Sequence, residues 1–138
     1  MALHILALHA SKPSEVLTSG FIASSVNTHP VVIRRLLGQL RKARLVSIQP
    51  GPGGGSRLAR SPKTLHLREI YRAVENGTLL SLHRSRPNSL CPVGRHIESV
   101  IGNVLADAEQ AFEGALGKLT LEDLVKALQT SEARSRHA

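Results

Sequence analysis

Three sets of residues carry chemical potential by their type or spacing. The stretch QPGPGGGSRLAR, residues 49–60, holds four of the chain's eleven glycines beside basic side chains. Cys91 is the single cysteine among 138 residues, and seven histidines stand at 4, 9, 29, 66, 83, 96 and 137. A glycine-rich loop beside cations either cradles a phosphate or forms the tip of a hairpin. A P-loop needs G-x-x-x-x-G-K-[ST], in which backbone N–H groups wrap the phosphates while the Lys and hydroxyl serve phosphate and Mg²⁺. Here Gly51 leads to Ser56-Arg57, with no Lys. A dinucleotide loop needs G-x-G-x-x-G opening a helix, but the sixth position is Ser56 and the residues after it read as a strand. Nucleotide binding is set aside. Two readings stay open: a plain turn, or a flexible tip whose backbone can come close to a ligand.

The histidines have no HxxxH or HExxH spacing, and Cys91 has no CxxC partner, so no metal site is expected. Nucleophilic catalysis would rest on Cys91 with His83 or His96 as base. Neither an orienting third group nor an oxyanion loop accompanies them, so the chain does not read as an enzyme. Cys91 itself has two readings, an inert thiol or a sensor of oxidants and electrophiles. The second draws on Arg84, Arg86 and Arg95 nearby, because cationic neighbours favour thiolate chemistry. A lone cysteine forms no internal disulfide, and a reducing cytoplasm is the expected compartment.

The elements that must position these residues follow from pattern. Residues 3–10 read as the body of a helix beginning at or before Met1, and nothing there resembles a secretory leader. Residues 16–26 read as a short helix capped by Thr18 or Ser19, and Asn27-Thr28-His29-Pro30 is a turn into the next. Pro30 suits a first helical position, where its missing N–H would have no partner anyway. From Pro30 to about Arg44, Ile33, Leu36, Leu37 and Leu40 recur on one face, while Val31, Arg34, Arg35, Gly38 and Lys42 occupy the other. Residues 45–49 alternate as a strand, and 56–60 can return antiparallel to them. A helix is expected over 64–77, capped by Thr64 and ended by Asn76-Gly77, with a loop over 79–92.

The longest periodic segment spans 93–119, on the order of 40 Å at helical rise. Its stripe includes Ile97, Val100, Ile101, Val104, Leu105, Ala108 and Phe112. A stripe that long usually pairs with another chain, although packing within the monomer is the alternative. Thr120 and Asp123 have capping-box spacing for a closing helix, and residues 131–138 read as a disordered tail. The domain reading is therefore 1–78, the loop 79–92, the helices 93–130 and the tail.

Charge separates these parts. The net charge is +8, but residues 1–95 hold 14 Lys/Arg against 3 Asp/Glu, whereas residues 96–138 hold 4 against 7. A polyanion partner for the first part accounts for this asymmetry, and so does a merely soluble basic surface. With Phe21, Tyr71 and Phe112 the only aromatics, the core must be aliphatic, which suits helices. No apolar run approaches the ~18 residues of a membrane span. Two helices, a turn, a basic outward helix face and a basic hairpin make a helix-turn-helix with a wing. Such a second helix fits the major groove of double-stranded DNA, and the wing meets backbone or minor groove. The same unit also serves as a protein-interaction module, and the alternative is a helical dimer that binds a protein or small-molecule ligand with the winged domain not reading DNA. The fold class is mostly α with a small β-hairpin.

The segments SSVNTHPVVIRRLLGQLRKARLVSIQPGPGGGSRLAR and LHLREIYRAVENG resemble the Rrf-two (Rrf2) family of bacterial winged-helix transcription regulators. That family contains an iron–sulfur cluster regulator, a nitrite-sensitive repressor and a cysteine metabolism repressor. The likeness covers roughly residues 3–128, and PNSLCPVGRH (87–96) is most similar to the subgroup without a metal cluster. It implies a homodimer joined through the long helix and a cytoplasmic regulator, more often a repressor. It also implies a recognition helix from Thr28-His29-Pro30 and a minor-groove wing at 51–57. The expected DNA contacts are Ser24, Ser25, Thr28, His29, Val31, Arg34 and Arg35, with Gly53, Gly54, Gly55, Ser56 and Arg57 at the wing. Cluster-binding members carry three cysteines before the long helix and this chain has only Cys91, so no cofactor is expected. Some relatives are thiol sensors. Members usually begin some residues earlier, which implies that part of the first helix precedes Met1.

Overall fold

In the computed structural model, residues 1–75, 77 and 86–137 are described. Their order is α1 (Ala2–Ser11), α2 (Ser19–Val26), α3 (Pro30–Lys42), β1 (Val46–Gln49), β2 (Gly55–Leu58), α4 (Leu67–Val74), α5 (Pro92–Gly117) and α6 (Leu121–Ser135). Helix α1 is apolar around most of its girth, and α2, α4, β2 and α6 all pack against it. Its Ile5 and Leu6 are fully buried, together with Ile22, Ile33, Leu40, Ile70 and Leu121. The core is thus aliphatic and centred on α1.

Local chemistry sets the helix ends. The Thr18 hydroxyl accepts the Phe21 N–H at 3.2 Å, which makes Thr18 the cap of α2. Asn27 ends α2 in the left-handed region (φ 59°), as a helix terminator of this type commonly does. Pro30 opens α3 as expected, and the ring Nδ1 of His29 accepts the Val31 N–H at 3.2 Å. Ile33, Leu37 and Leu40 face the core. The antiparallel hairpin pairs Val46 with Leu58, Ser47 with Arg57, Ile48 with Ser56 and Gln49 with Gly55.

Helix α4 begins at Leu67, not near Thr64. His66 just before it is extended, and residues 65–67 pair with 119–121. The Leu121 N–H donates to Leu65 O at 2.8 Å, and the Leu67 N–H to Leu119 O at 3.0 Å. Thr64 turns its hydroxyl to Ser61 O, and Glu69 accepts the His66 N–H at 3.3 Å, so the helix boundary lies at His66. At the other end α4 stops at Val74 with Glu75 as C-cap, before the expected Asn76-Gly77. Asn76 and Thr78 lie outside the described residues, as do 79–85 of the expected loop, with His83 and Arg84.

Thr120 and Asp123 form the expected capping box, with Asp123 Oδ2 accepting the Thr120 N–H at 2.9 Å. The tail needs correction. Helix α6 continues through Ser135, its later turns held by backbone bonds and by ion pairs such as Glu132–Arg136 at 2.9 Å.

Helix α5 is different in kind. It contributes no buried residue, although Leu116 packs at the edge of the core and Phe112 meets Tyr71 edge-on at 5.1 Å. Val100 and Val104 are 62% and 60% exposed. Ala108 and Phe112 are also exposed, and Ile97, Ile101 and Leu105 are half-buried.

Candidate nucleic-acid interface

The site grows from the packing of α2 on α3. With Ile33, Leu37 and Leu40 fixed inward, the 100° helical step turns Val31, Arg34 and Arg35 outward. All three are exposed, Val31 at 55%. Among the described residues, Arg34, Arg35 and Arg57 form no ion pair, whereas Lys12, Arg60, Arg72, Lys126 and Arg136 do. Unneutralised cations are therefore present on both α3 and the wing. A cleft of about 430 Å³ separates these two elements, lined by Thr18, Arg34, Leu37, Ile48 and Gln49 among others.

The remaining expected contacts divide. Ser24 is exposed on α2, and Thr28 is half-buried in the turn. Ser25 is exposed, but its hydroxyl is engaged by His4 Nε2 of α1 at 3.1 Å. His29 is exposed at the mouth of α3, with Nδ1 used as cap.

In the wing the glycines have a different purpose from the one expected. A Cβ at Gly54 would lie 2.1 Å from Gln49 O, and one at Gly55 would lie 2.4 Å from Leu17 O. These contacts are with the chain's own backbone, so the run is needed to close the turn and seat the strand rather than to loosen the tip. Gly53 remains fully on the outside, with φ +71°. Ser56 is a correction: it is 1% exposed, facing inward against His9 and Leu17 O. Its neighbour Arg57, on the opposite face of β2, is exposed. Sequence reasoning missed His9 and Leu17, which hold this strand. The signal available was a histidine set among the apolar residues of the first helix.

Cys91 is exposed and is the N-cap residue of α5. Its carbonyl accepts the Arg95 N–H at 2.9 Å, while the Arg95 guanidinium turns to Ser89 O at 3.1 Å.

A family model described as "Rrf2: Iron-dependent Transcriptional regulator" matches residues 1–127. The chain belongs to the Rrf2 family. The "Putative HTH-type transcriptional regulator YwnA" of Bacillus subtilis is 36% identical over 128 residues, 93% of this chain and 94% of that protein. Among solved structures, IscR of T. potens aligns with a TM-score of 0.67 at 25% identity, covering 94% of this chain and 82% of that one. CymR, the global cysteine regulator of B. subtilis, aligns at 0.67 and 22% identity over 91% of each chain, a likeness of fold. This Rrf2 protein is a DNA-binding transcriptional regulator with a winged helix-turn-helix, and its relatives are named as regulators rather than enzymes. The iron in the family description does not fit these residues. Cys91 is the only cysteine, and among the described residues no three His, Cys, Asp or Glu side chains gather where a metal could sit. No described helix is long and apolar enough to cross a membrane.

Proposed function

We propose that two copies of the protein join along α5 and bind a palindromic operator in the cytoplasm, repressing the genes beside it. The observation that carries this reading is the set of exposed, unpaired cations on α3 and β2. Val31, Arg34, Arg35 and His29 meet base edges and phosphates in the major groove, while Gly53 and Arg57 present the wing to the adjacent minor groove. Ser24 and Thr28 lie near enough in sequence to α3 to meet the flanking backbone. The α5 stripe of Ile97, Val100, Ile101, Val104, Leu105, Ala108 and Phe112 supports the dimer, because an apolar face this exposed is costly in water. Two-fold symmetry in the protein then calls for two-fold symmetry in the operator.

Cys91 is proposed as the thiol that makes binding respond to oxidants, supported by its exposure at the start of α5. A gel shift on the promoter upstream of the protein's own gene, run as a salt series, tests the DNA reading. Affinity should fall steeply with salt, as counterions released by several Lys/Arg contacts require. No shift even at low salt, where sequence-independent binding is strongest, would favour instead a helical dimer that binds a protein or small ligand without reading DNA. An oxidant response unchanged in Cys91→Ser would remove the thiol from the proposal.

A further inference from the structure

His9 lies at the junction of three elements and has no part in the DNA contacts proposed above. It is 2% exposed. Its Nδ1 sits 2.7 Å from Ile5 O. A carbonyl oxygen only accepts, so Nδ1 carries the proton, and in the neutral ring Nε2 is an acceptor. Nε2 lies 2.8 Å from Ser56 Oγ, whose hydroxyl donates to it. The backbone of Ser56 is fastened as well: its N–H donates to Leu17 O at 2.8 Å, and the Leu17 N–H donates to Ser56 O at 3.0 Å. One residue of β2 is thus tied both to α1 and to the segment entering α2.

Val46 at the foot of β1 is buried in the core, but beyond it the hairpin has few other holds. A two-stranded ribbon is marginal alone, Ile48 is 38% exposed, and Leu58 is only half-buried. Its tilt therefore depends on the fastening at Ser56, and the next residue along is Arg57. We infer that His9 is a positioning residue for DNA binding, holding Ser56 so that the wing presents Arg57 at a fixed angle to α3. The inference rests on the reading of residues 51–57 as a DNA-contacting wing.

Protonation alters this fastening in a defined way. Burial pushes the His9 imidazole below the ordinary histidine range, against the opposing pull of the backbone of Ile5 and Ser56. The fold thus favours the neutral ring. That contribution to stability is complete above the ordinary histidine value of about 6.5 and is lost as pH falls below it. In the charged ring Nε2 becomes a donor, so Ser56 must turn its hydroxyl to Leu17 O, 3.3 Å away. Lys12, Glu15, Arg57 and Arg60 share a cavity of about 310 Å³ with His9. Lys12 is paired with Glu15 and Arg60 with Glu69.

The test uses the full chain and the duplex that it selects from a random-sequence pool. Affinity is measured by fluorescence anisotropy from pH 5.5 to 8, and exchange of the Leu17 and Ser56 amides is followed without DNA. Arg57→Ala should weaken binding, which establishes the wing contact. His9→Leu should weaken it by roughly tenfold and speed exchange at Ser56. His9→Gln, whose amide can still meet the Ser56 hydroxyl, should recover most of the affinity and lose the pH dependence below 6.5. In an Arg57→Ala background, His9→Leu should have little further effect, because the angle of an absent side chain is immaterial. If Arg57→Ala weakens binding while His9→Leu changes neither affinity nor exchange, the positioning role is overturned. If Arg57→Ala is silent, the wing reading fails, and the exchange data still decide whether His9 fastens β2. Should His9→Leu not fold, Ser56→Ala takes its place under the same criteria.

Discussion

Helices α3 and α5 are both amphipathic, yet they resolve that character in opposite ways. In α3 the apolar stripe is closed within the chain, with Ile33 and Leu40 fully buried, and the polar face carries unpaired arginines. In α5 the apolar stripe lies open, with Val100 and Val104 more than half exposed. Its acidic residues include Glu113, paired with Arg72 of α4. One helix lacks a partner for its charge and the other lacks a partner for its apolar surface. A polyanion answers the first need and a second apolar face the second.

The contrast can be broken most severely at Val104. Val104→Asp places a carboxylate on an already exposed position, so the monomer should melt as before while the dimer is lost. Sedimentation would register the change in mass. Operator affinity should drop by about a hundredfold or more, because the two half-sites no longer act as one linked pair. An unchanged dimer would show that α5 is covered in some other way. On the α3 side, Leu40→Ala removes a fully buried side chain and should cost about 2–5 kcal/mol in chemical unfolding. The same truncation at Val100 should leave the monomer's stability nearly untouched.

Arg35→Ala should weaken operator binding by about 1–3 kcal/mol and relax base preference at one position. A loss of affinity equal for all sequences would reassign Arg35 to a phosphate. The smallest effect expected is that of Cys91→Ser under reducing conditions, where affinity should match the parent. Only an oxidant titration, monitored by anisotropy, should separate the two proteins.

The two helices were also unequally legible in the sequence. The stripe of α3 could be read residue by residue, because an amphipathic period is a local property and burial follows it. For α5 the period was equally clear, but what covers the stripe is not encoded in the period. The cap of α4 was misplaced at Thr64 because pairing of 65–67 with 119–121 is long-range and overrides a good local cap. Ser56 was expected at the surface for a related reason. A four-residue strand with few apolar side chains does not declare which face is inward. The glycines of the wing were recognised as necessary, but composition alone does not separate a flexible tip from a crowded one. The clash at Gly55 depends on Leu17, which is 38 positions earlier.

The pairing between 65–67 and 119–121 has a mechanical consequence. It anchors the C-terminal end of α5 to the layer that carries α1 and α4, leaving the rest of a 26-residue helix as a stiff arm. Such an arm is about 39 Å long, so a tilt of about five degrees at its root moves the far end by about 3 Å. That is close to the rise of one base pair, about 3.4 Å. In a dimer joined along α5, leverage of this kind would turn a slight tilt at the anchored root into a displacement of the helix start, where Cys91 lies.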